Sequence, residues 1–269
     1  MNYQRIHFNI EGSVAVITLN QPEQLNALSE AMLAEVIEAL AGVQHDTRVR
    51  ALLLTAKGKL FSTGAPLNEL LGGGDPTLSR GTNVARLMEQ VMNPVIAQLR
   101  ALPVPVVIAL NGGVAGGAVG LALAGDVIVA ARSAYFYLPF IPQLGLVPDL
   151  GSSWFLQRQL GRQRALGLTL TGGRWSAEQA ERWGMVHSCV DDPDLTSHAM
   201  DLARQLARLP AHGVVEARRL FDAASVHSLD EQLAYEAGRQ KELLDLPTFE
   251  EGVQAFFAKR KAQFSGREI

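Results

Sequence analysis

Four short runs of apolar residues, several of them β-branched, alternate with stretches of helical spacing, and this pattern restricts the chain more than any other feature. The runs are Val14 to Leu19, Arg50 to Thr55, Val106 to Leu110 and Val127 to Ala130. Each reads as a buried strand, because branched side chains pack well on a pleated surface. Ile6 to Ile10 alternates ahead of the first run, across a turn at Glu11-Gly12. Between the runs, Ser29 is placed to cap a helix carrying Met32, Val36, Ile37 and Leu40 at helical spacing. A long helix from about Asn83 to Arg100 leads to Pro103 and Pro105, and a short apolar helix ends near Ala124. Strands alternating with helices imply an α/β layered core. The order changes after Trp175. Ser176 with Gln179 makes a capping box, Met185 to Val190 is one more strand, and four helices follow, at 195–209, 213–224, 229–244 and 248–264. The expected division is a core over residues 1–195 and a helical region over 196–269 that closes the site, packs on another subunit, or both.

Composition narrows the function classes. Of 269 residues, 48% are hydrophobic and 19% charged, the balance of a chain with a real core. A net charge of −3 gives no general attraction to nucleic acid or anionic membrane, so a polyanionic ligand needs a local basic patch. The one cysteine, Cys189, rules out an intrachain disulfide, and no Cys/His cluster suggests a metal site. The first residues run into strand-like sequence without the apolar segment of a signal peptide. Glycines break the longest apolar stretches well short of a membrane span. The expectation is a cytoplasmic protein.

Two glycine-bearing junctions follow strands: Phe61 to Leu67 after the strand at 50–55, and Asn111 to Gly120 after the strand at 106–110. Loops at the carboxyl ends of such strands are the usual ligand positions, and glycine admits backbone approaches that a β-carbon blocks. If Gly117 opens the next helix, its N–H is unpaired there and lies at the positive end of the helix dipole. One N–H from each junction would then stabilise an oxyanion; the alternative is that these glycines only make tight turns. No G-x-G-x-x-G follows the first strand, so a dinucleotide loop is not indicated. Asp149 lies among apolar residues just before a helix start. It is either that helix's cap or a carboxylate base whose pKa an apolar cleft raises.

Taken in order, these segments resemble the enoyl-CoA hydratase/isomerase (crotonase) superfamily. The resemblance is carried by Leu19 to Leu28 (LNQPEQLNAL), Val49 to Thr55 (VRALLLT), Phe61 to Ala65 (FSTGA) and Gly113 to Asp126 (GVAGGAVGLALAGD). It continues through Gly145 to Ser153 (GLVPDLGSS), Leu170 to Gly172 with Ala177 to Val186, and Glu251 to Lys261 (EGVQAFFAKRK). It implies a spiral of ββα turns with a C-terminal helical trimerisation region, assembled as a homotrimer or a dimer of trimers. It implies an acyl-CoA thioester as substrate, coenzyme A entering only as part of that substrate with no permanently bound cofactor, and no nucleic acid or membrane partner. The N–H groups of Ala65 and Gly117 would hold the thioester oxygen. CoA would lie along Gln24, Leu25, Ala27, Thr63, Gly64 and Leu67, with Lys259 meeting a phosphate and Phe256 flanking the adenine.

Departures from the family pattern sharpen the expectation. Hydratases use two glutamates, and at those places this chain has Gly120 and the stretch around Phe140-Ile141, with no acid from Ala134 to Val147. Asp149 instead matches the carboxylate of enoyl-CoA isomerases, including the ring-isomerising enzyme of phenylacetyl-CoA breakdown. One carboxylate suffices there, removing a proton and returning it elsewhere. Tyr137, Phe140, Trp154 and Phe155 would shape the acyl pocket, unless they are core. Pro66 stands where the family often has aspartate and restricts Ala65 to extended angles. Gln24 replaces a frequent basic residue. The alternatives are a hydrolase or dehalogenase with Asp149 as nucleophile, a hydratase-like protein of weak or no activity, and a CoA-binding protein without turnover.

Overall fold

Every residue of the Val106–Leu110 run is buried, and this puts it at the centre of a sheet covered on both faces. The structure is a computed structural model that describes residues 3–264 and 266, so the outermost residues of both sequence regions lie outside it. In chain order the first elements are β1 (Ile6–Glu11), β2 (Val14–Leu19), α1 (Glu30–His45), β3 (Ala51–Ala56), β4 (Leu60–Ser62), α2 (Leu67–Gly72), α3 (Arg80–Leu87) and α4 (Asn93–Ala101). There follow β5 (Val106–Leu110), β6 (Gly113–Ala115), α5 (Ala118–Leu123), β7 (Val127–Ala131), β8 (Tyr135–Tyr137), α6 (Ser152–Leu160), α7 (Arg162–Thr171) and β9 (Trp175–Ser176). The last are α8 (Ala177–Arg182), β10 (Ser188–Val190), α9 (Leu195–Leu206), α10 (Gly213–Ala224), α11 (Leu229–Leu244) and α12 (Pro247–Phe257).

The larger sheet has the order β1-β2-β3-β5-β7-β10, with β1 antiparallel to β2 and every other neighbour parallel. The smaller sheet has the order β4-β6-β8-β9. After the β1-β2 hairpin, successive ββ pairs send one strand to each sheet, and the chain winds as a spiral of ββα turns. Phe61, Phe136 and Trp175 fill the layer between the sheets, with Phe136 and Trp175 stacked at 5.5 Å. The outer face of the larger sheet is closed by α9, whose Leu195, Ala199 and Ala203 meet Leu53, Val107 and Val129. So α9, grouped in the sequence with the helical end, lies on the sheet.

Local sequence explains the boundaries. Ser29 accepts the Met32 N–H, and Ser176 with Gln179 forms the expected capping box. The long helix starts earlier than expected and is not uniform. Pro94 lacks an N–H, and a π-helical turn at Met88–Met92 separates α3 from α4. The final helix ends at Phe257, not residue 264, because Lys259 takes a left-handed φ of +52. The last strand begins at Ser188, not Met185. Among the described residues no helix is long and apolar enough to cross a membrane.

A buried clamp holds the C-terminal helices to the core. On α10, Arg218 donates to both Asp126 oxygens at 2.7 and 2.6 Å and to the carbonyls of Arg100, Leu102 and Val104. Beyond it, Phe221, Val226, Leu229, Leu233, Phe256 and Phe257 are exposed.

Candidate active site

The two glycine junctions meet. A β-carbon at Gly64 would lie 3.0 Å from the Gly117 nitrogen and 2.8 Å from the Ala115 carbonyl oxygen, so residue 64 has no room for a side chain. Its φ of +81 is a second reason for glycine. Gly117 is the N-cap of α5, as the sequence reading anticipates. Among the described residues, neither the Ala65 nor the Gly117 N–H donates to a protein acceptor. Both are main-chain donors at adjoining turns, and Gly117 adds the positive end of a helix. Pro66 is the N-cap of α2, so the missing N–H falls where a helix start has no use for it.

Asp149 reaches this junction through a strained turn. Its carbonyl accepts the Ser152 N–H at 2.9 Å, with Leu150 at φ +49 and Gly151 at φ +76 between them, a type I′ turn. A left-handed leucine is uncommon and persists only where packing over-determines it. Here Leu150 is buried against Gly117, where a β-carbon would meet its side chain at 2.8 Å. The helix-cap alternative for Asp149 is not what the structure has. Gly151 is the N-cap of α6, no side chain caps it, and the Asp149 main-chain carbonyl takes the bond. The carboxylate turns toward α5, with Oδ1 2.8 Å from the place of a Gly117 β-carbon. That oxygen is buried and has no hydrogen-bond partner. Burial pushes the Asp149 carboxyl up to about 6, against the opposing pull of its own N–H, and no charged neighbour contributes.

Gly120, one turn further along α5, also has no space. A β-carbon there would collide with the Leu150 carbonyl oxygen and stand 2.8 Å from its carbon and 3.0 Å from Ser152 Oγ. The segment carrying Asp149 occupies the volume that any side chain at 120 needs.

The family model "Enoyl-CoA hydratase/isomerase" matches residues 9–267. The chain belongs to the enoyl-CoA hydratase/isomerase family. It is 42% identical to 1,2-epoxyphenylacetyl-CoA isomerase of Escherichia coli (strain K12), over 96% of this chain and 97% of that protein. It is 39% identical to a protein of Rhodobacter capsulatus named as a probable enoyl-CoA hydratase, over 99% and 100%. The crystal structure of an enoyl-CoA hydratase from Bacillus anthracis superposes with a TM-score of 0.88 at 30% identity, covering 98% of this chain and 100% of that one. This family member has the crotonase fold, with two sheets and C-terminal helices.

In this crotonase-fold chain, the loop with Gln24, Leu25 and Ala27 lies beside Thr63 and Gly64. The Thr63 N–H donates to the Leu25 carbonyl at 3.2 Å, and the Leu28 N–H to the Gly64 carbonyl at 2.9 Å. Leu67, the first residue of α2, and Leu25 are half exposed. Tyr137 joins through its carbonyl, which accepts the Gly116 N–H at 3.0 Å, while Phe140 is buried core. Trp154 is not gathered with them. It sits about 200° around α6 from the buried Ser152, under the Arg158 guanidinium at 3.8 Å, in a cavity shared with Arg100 and Phe221. Phe256 and Lys259 also stay apart within the chain. Phe256 is 80% exposed, and the segment that follows Lys259 lines a cavity with Arg48 and Arg50, at the amino end of β3 and away from the glycine turns.

Sequence reasoning missed three residues. Asn26, 1% exposed with φ +50, accepts the Gln21 N–H and donates to the Lys57 and Leu60 carbonyls, fixing the loop. Its burial as a polar side chain in a Gln-Leu-Asn turn is a signal only after pairing is known. Leu150 supplies the strained turn, and no propensity announces a left-handed leucine. Ser152 passes for a helix-start serine, yet its hydroxyl is buried without a partner. Among the described residues no group of three or more His, Cys, Asp or Glu is placed to hold a metal ion.

Proposed function

We propose that this acyl-CoA enzyme is an enoyl-CoA isomerase in which Asp149 moves one proton and the Ala65 and Gly117 N–H groups hold the thioester oxygen. The observation that carries the reading is a lone buried carboxylate with a raised pKa, held against Gly117 at the meeting point of two free amides. In the forward step the Asp149 carboxylate takes a proton from the carbon beside the thioester carbonyl. The electron pair flows into the carbonyl, and the resulting dienolate oxygen accepts the two main-chain N–H bonds. Each such donor is worth roughly 3–4 kcal/mol in the transition state. The carboxylic acid then returns its proton at the far end of the conjugated system, and the double bond has shifted. A pKa of about 6 leaves the group ionised near neutral pH yet a competent acid on the return step.

Hydration is disfavoured by the same geometry, since Gly120 has no room for a first acid and Ala134 to Val147 holds no second. CoA itself would lie along Gln24, Leu25, Ala27, Thr63, Gly64 and Leu67, and Tyr137 with Phe140 would bound the acyl group. Phe256 and Lys259 would meet CoA across a subunit boundary. The exposed apolar residues of α10 to α12 support a homotrimer or a dimer of trimers.

The test is Asp149→Asn assayed by ultraviolet absorbance on a 3-enoyl-CoA. The expected result is a loss of ~10²–10⁴-fold in turnover, with CoA-thioester binding retained in calorimetry. Near-wild-type turnover would sink the proposal. A covalent adduct on Asp149 in quenched-turnover mass spectrometry would favour the nucleophile mechanism instead.

A further inference from the structure

We propose that Ser152 is a positioning residue for the Asp149 carboxylate, its hydroxyl donating to Oδ1 when that oxygen carries charge. The inference rests on the isomerase reading for its kinetic consequence, but its structural basis is separate. Asp149 Oδ1 and Ser152 Oγ are both buried side-chain oxygens without a partner. Ser152 is 0% exposed. The two residues are the first and last positions of one type I′ turn, joined by the Ser152 N–H bond to the Asp149 carbonyl. Such a turn brings its end residues within about 7 Å and projects their side chains to one side. Both oxygens abut the same face of α5, Oδ1 at Gly117 and Oγ at Gly120, one helical turn apart.

A buried hydroxyl with nothing to bond is unfavourable, and native proteins keep few of them. A buried carboxylate oxygen is more unfavourable still when ionised. Each supplies what the other needs, and rotation about the serine side-chain bond brings the donor across the turn. Among the described residues few side-chain donors compete: α5 from Ala118 to Leu123 carries no polar side chain, and Arg100 of the neighbouring α4 is paired with Asp222. With the hydroxyl engaged, the carboxylate is held with its other oxygen free to reach substrate. The left-handed Leu150 belongs to the same turn, with residues 149 and 152 at its two ends.

The experiment compares the full-length wild type with Ser152→Ala, using Ser153→Ala, an exposed neighbour, as control. Two readouts are taken: the pH profile of kcat on a 3-enoyl-CoA, and the Asp149 carboxyl titration by NMR on protein labelled with ¹³C-aspartate. The Asp149 resonance is assigned from Asp149→Asn. One hydrogen bond to an ionised group shifts an equilibrium by roughly tenfold or more. Ser152→Ala is therefore expected to raise both apparent pKa values by about one unit and to lower kcat near pH 6 by about fivefold, with KM little changed. Ser152→Cys, which keeps a weak donor, falls between, and Ser153→Ala matches wild type. An unchanged carboxyl titration in folded Ser152→Ala, with unchanged or raised thermal stability, overturns the inference and leaves Ser152 a packing residue. If Asp149→Asn keeps its activity, the isomerase reading fails by itself. The NMR titration still decides whether Ser152 holds Asp149.

Discussion

The turn from Asp149 to Ser152 and the surface of α10 to α12 are opposite kinds of construction. In the turn, everything is closed: Leu150 is buried in a strained conformation, Gly64, Gly117 and Gly120 leave no space, and two polar oxygens sit unpartnered against α5. The C-terminal helices are the reverse, anchored at Arg218 and otherwise presenting Phe221, Val226, Leu229, Leu233, Phe256 and Phe257 to solvent. The first region spends stability on a reactive geometry that one chain completes. The second holds apolar surface that one chain leaves open. In this crotonase-fold chain the closed turn lies in the spiral and the open apolar residues on the C-terminal helices, and changes in one should leave the other intact.

The severest challenge to that separation is Gly120→Ala. Its β-carbon collides with the Leu150 carbonyl, so the turn must move or the helix must shift. We expect a loss of about 3 kcal/mol or more in denaturant unfolding, and at least ~10²-fold in turnover, with no gain of hydratase activity. Next in size is the pair Leu229→Glu with Leu233→Glu on α11. Sedimentation should show a drop from three or six times 29.0 kDa toward a single chain, with the near-ultraviolet spectrum of the spiral core unchanged. A variant that keeps its mass would break the link between those helices and assembly.

Asn26→Ala removes three buried hydrogen bonds from the loop beside Thr63 and Gly64. About 2 kcal/mol of stability should go with them, and KM for the CoA thioester should rise more than kcat falls. The smallest expected effect carries a sign. The Asp149 carboxyl binds its proton more tightly folded, at about 6, than unfolded, near 3.9. Stability attributable to it therefore falls as pH rises from about 4 to about 6 and stays lower above. Asp149→Asn should melt a few degrees above wild type at pH 8, roughly 2–4 °C. The gap should close below pH 4. An Asn variant that melts lower at pH 8 would show that the carboxylate stabilises the turn.

Much of this was legible in order along the chain. Residues 14–19, 51–56, 106–110 and 127–131 are strands because their branched, apolar side chains fit only a covered sheet. Ser29 and Ser176 cap because a serine oxygen is the right length to reach an N–H two or three residues on. The glycine junctions and Asp149 were legible as candidates, and the family as a run of ordered motifs. What sequence reasoning did not show is direction in space. Trp154 lies next to the site in number but on the far side of α6, and Lys259 ends a helix that leads away from it.

The sequence alone determined the main strands of the larger sheet, the longer helices, the caps at Ser29 and Ser176 and which chemistry-bearing side chains exist, because those follow from local sterics and hydrogen-bonding reach. The short strands of the smaller sheet were not legible in it. Tertiary structure decided that Gly64 backs onto Gly117, that Leu150 turns left-handed, and that Asp149 faces α5 with Ser152 beside it. Those outcomes come from excluded volume between segments 30 to 53 residues apart in the chain, and no local preference encodes them.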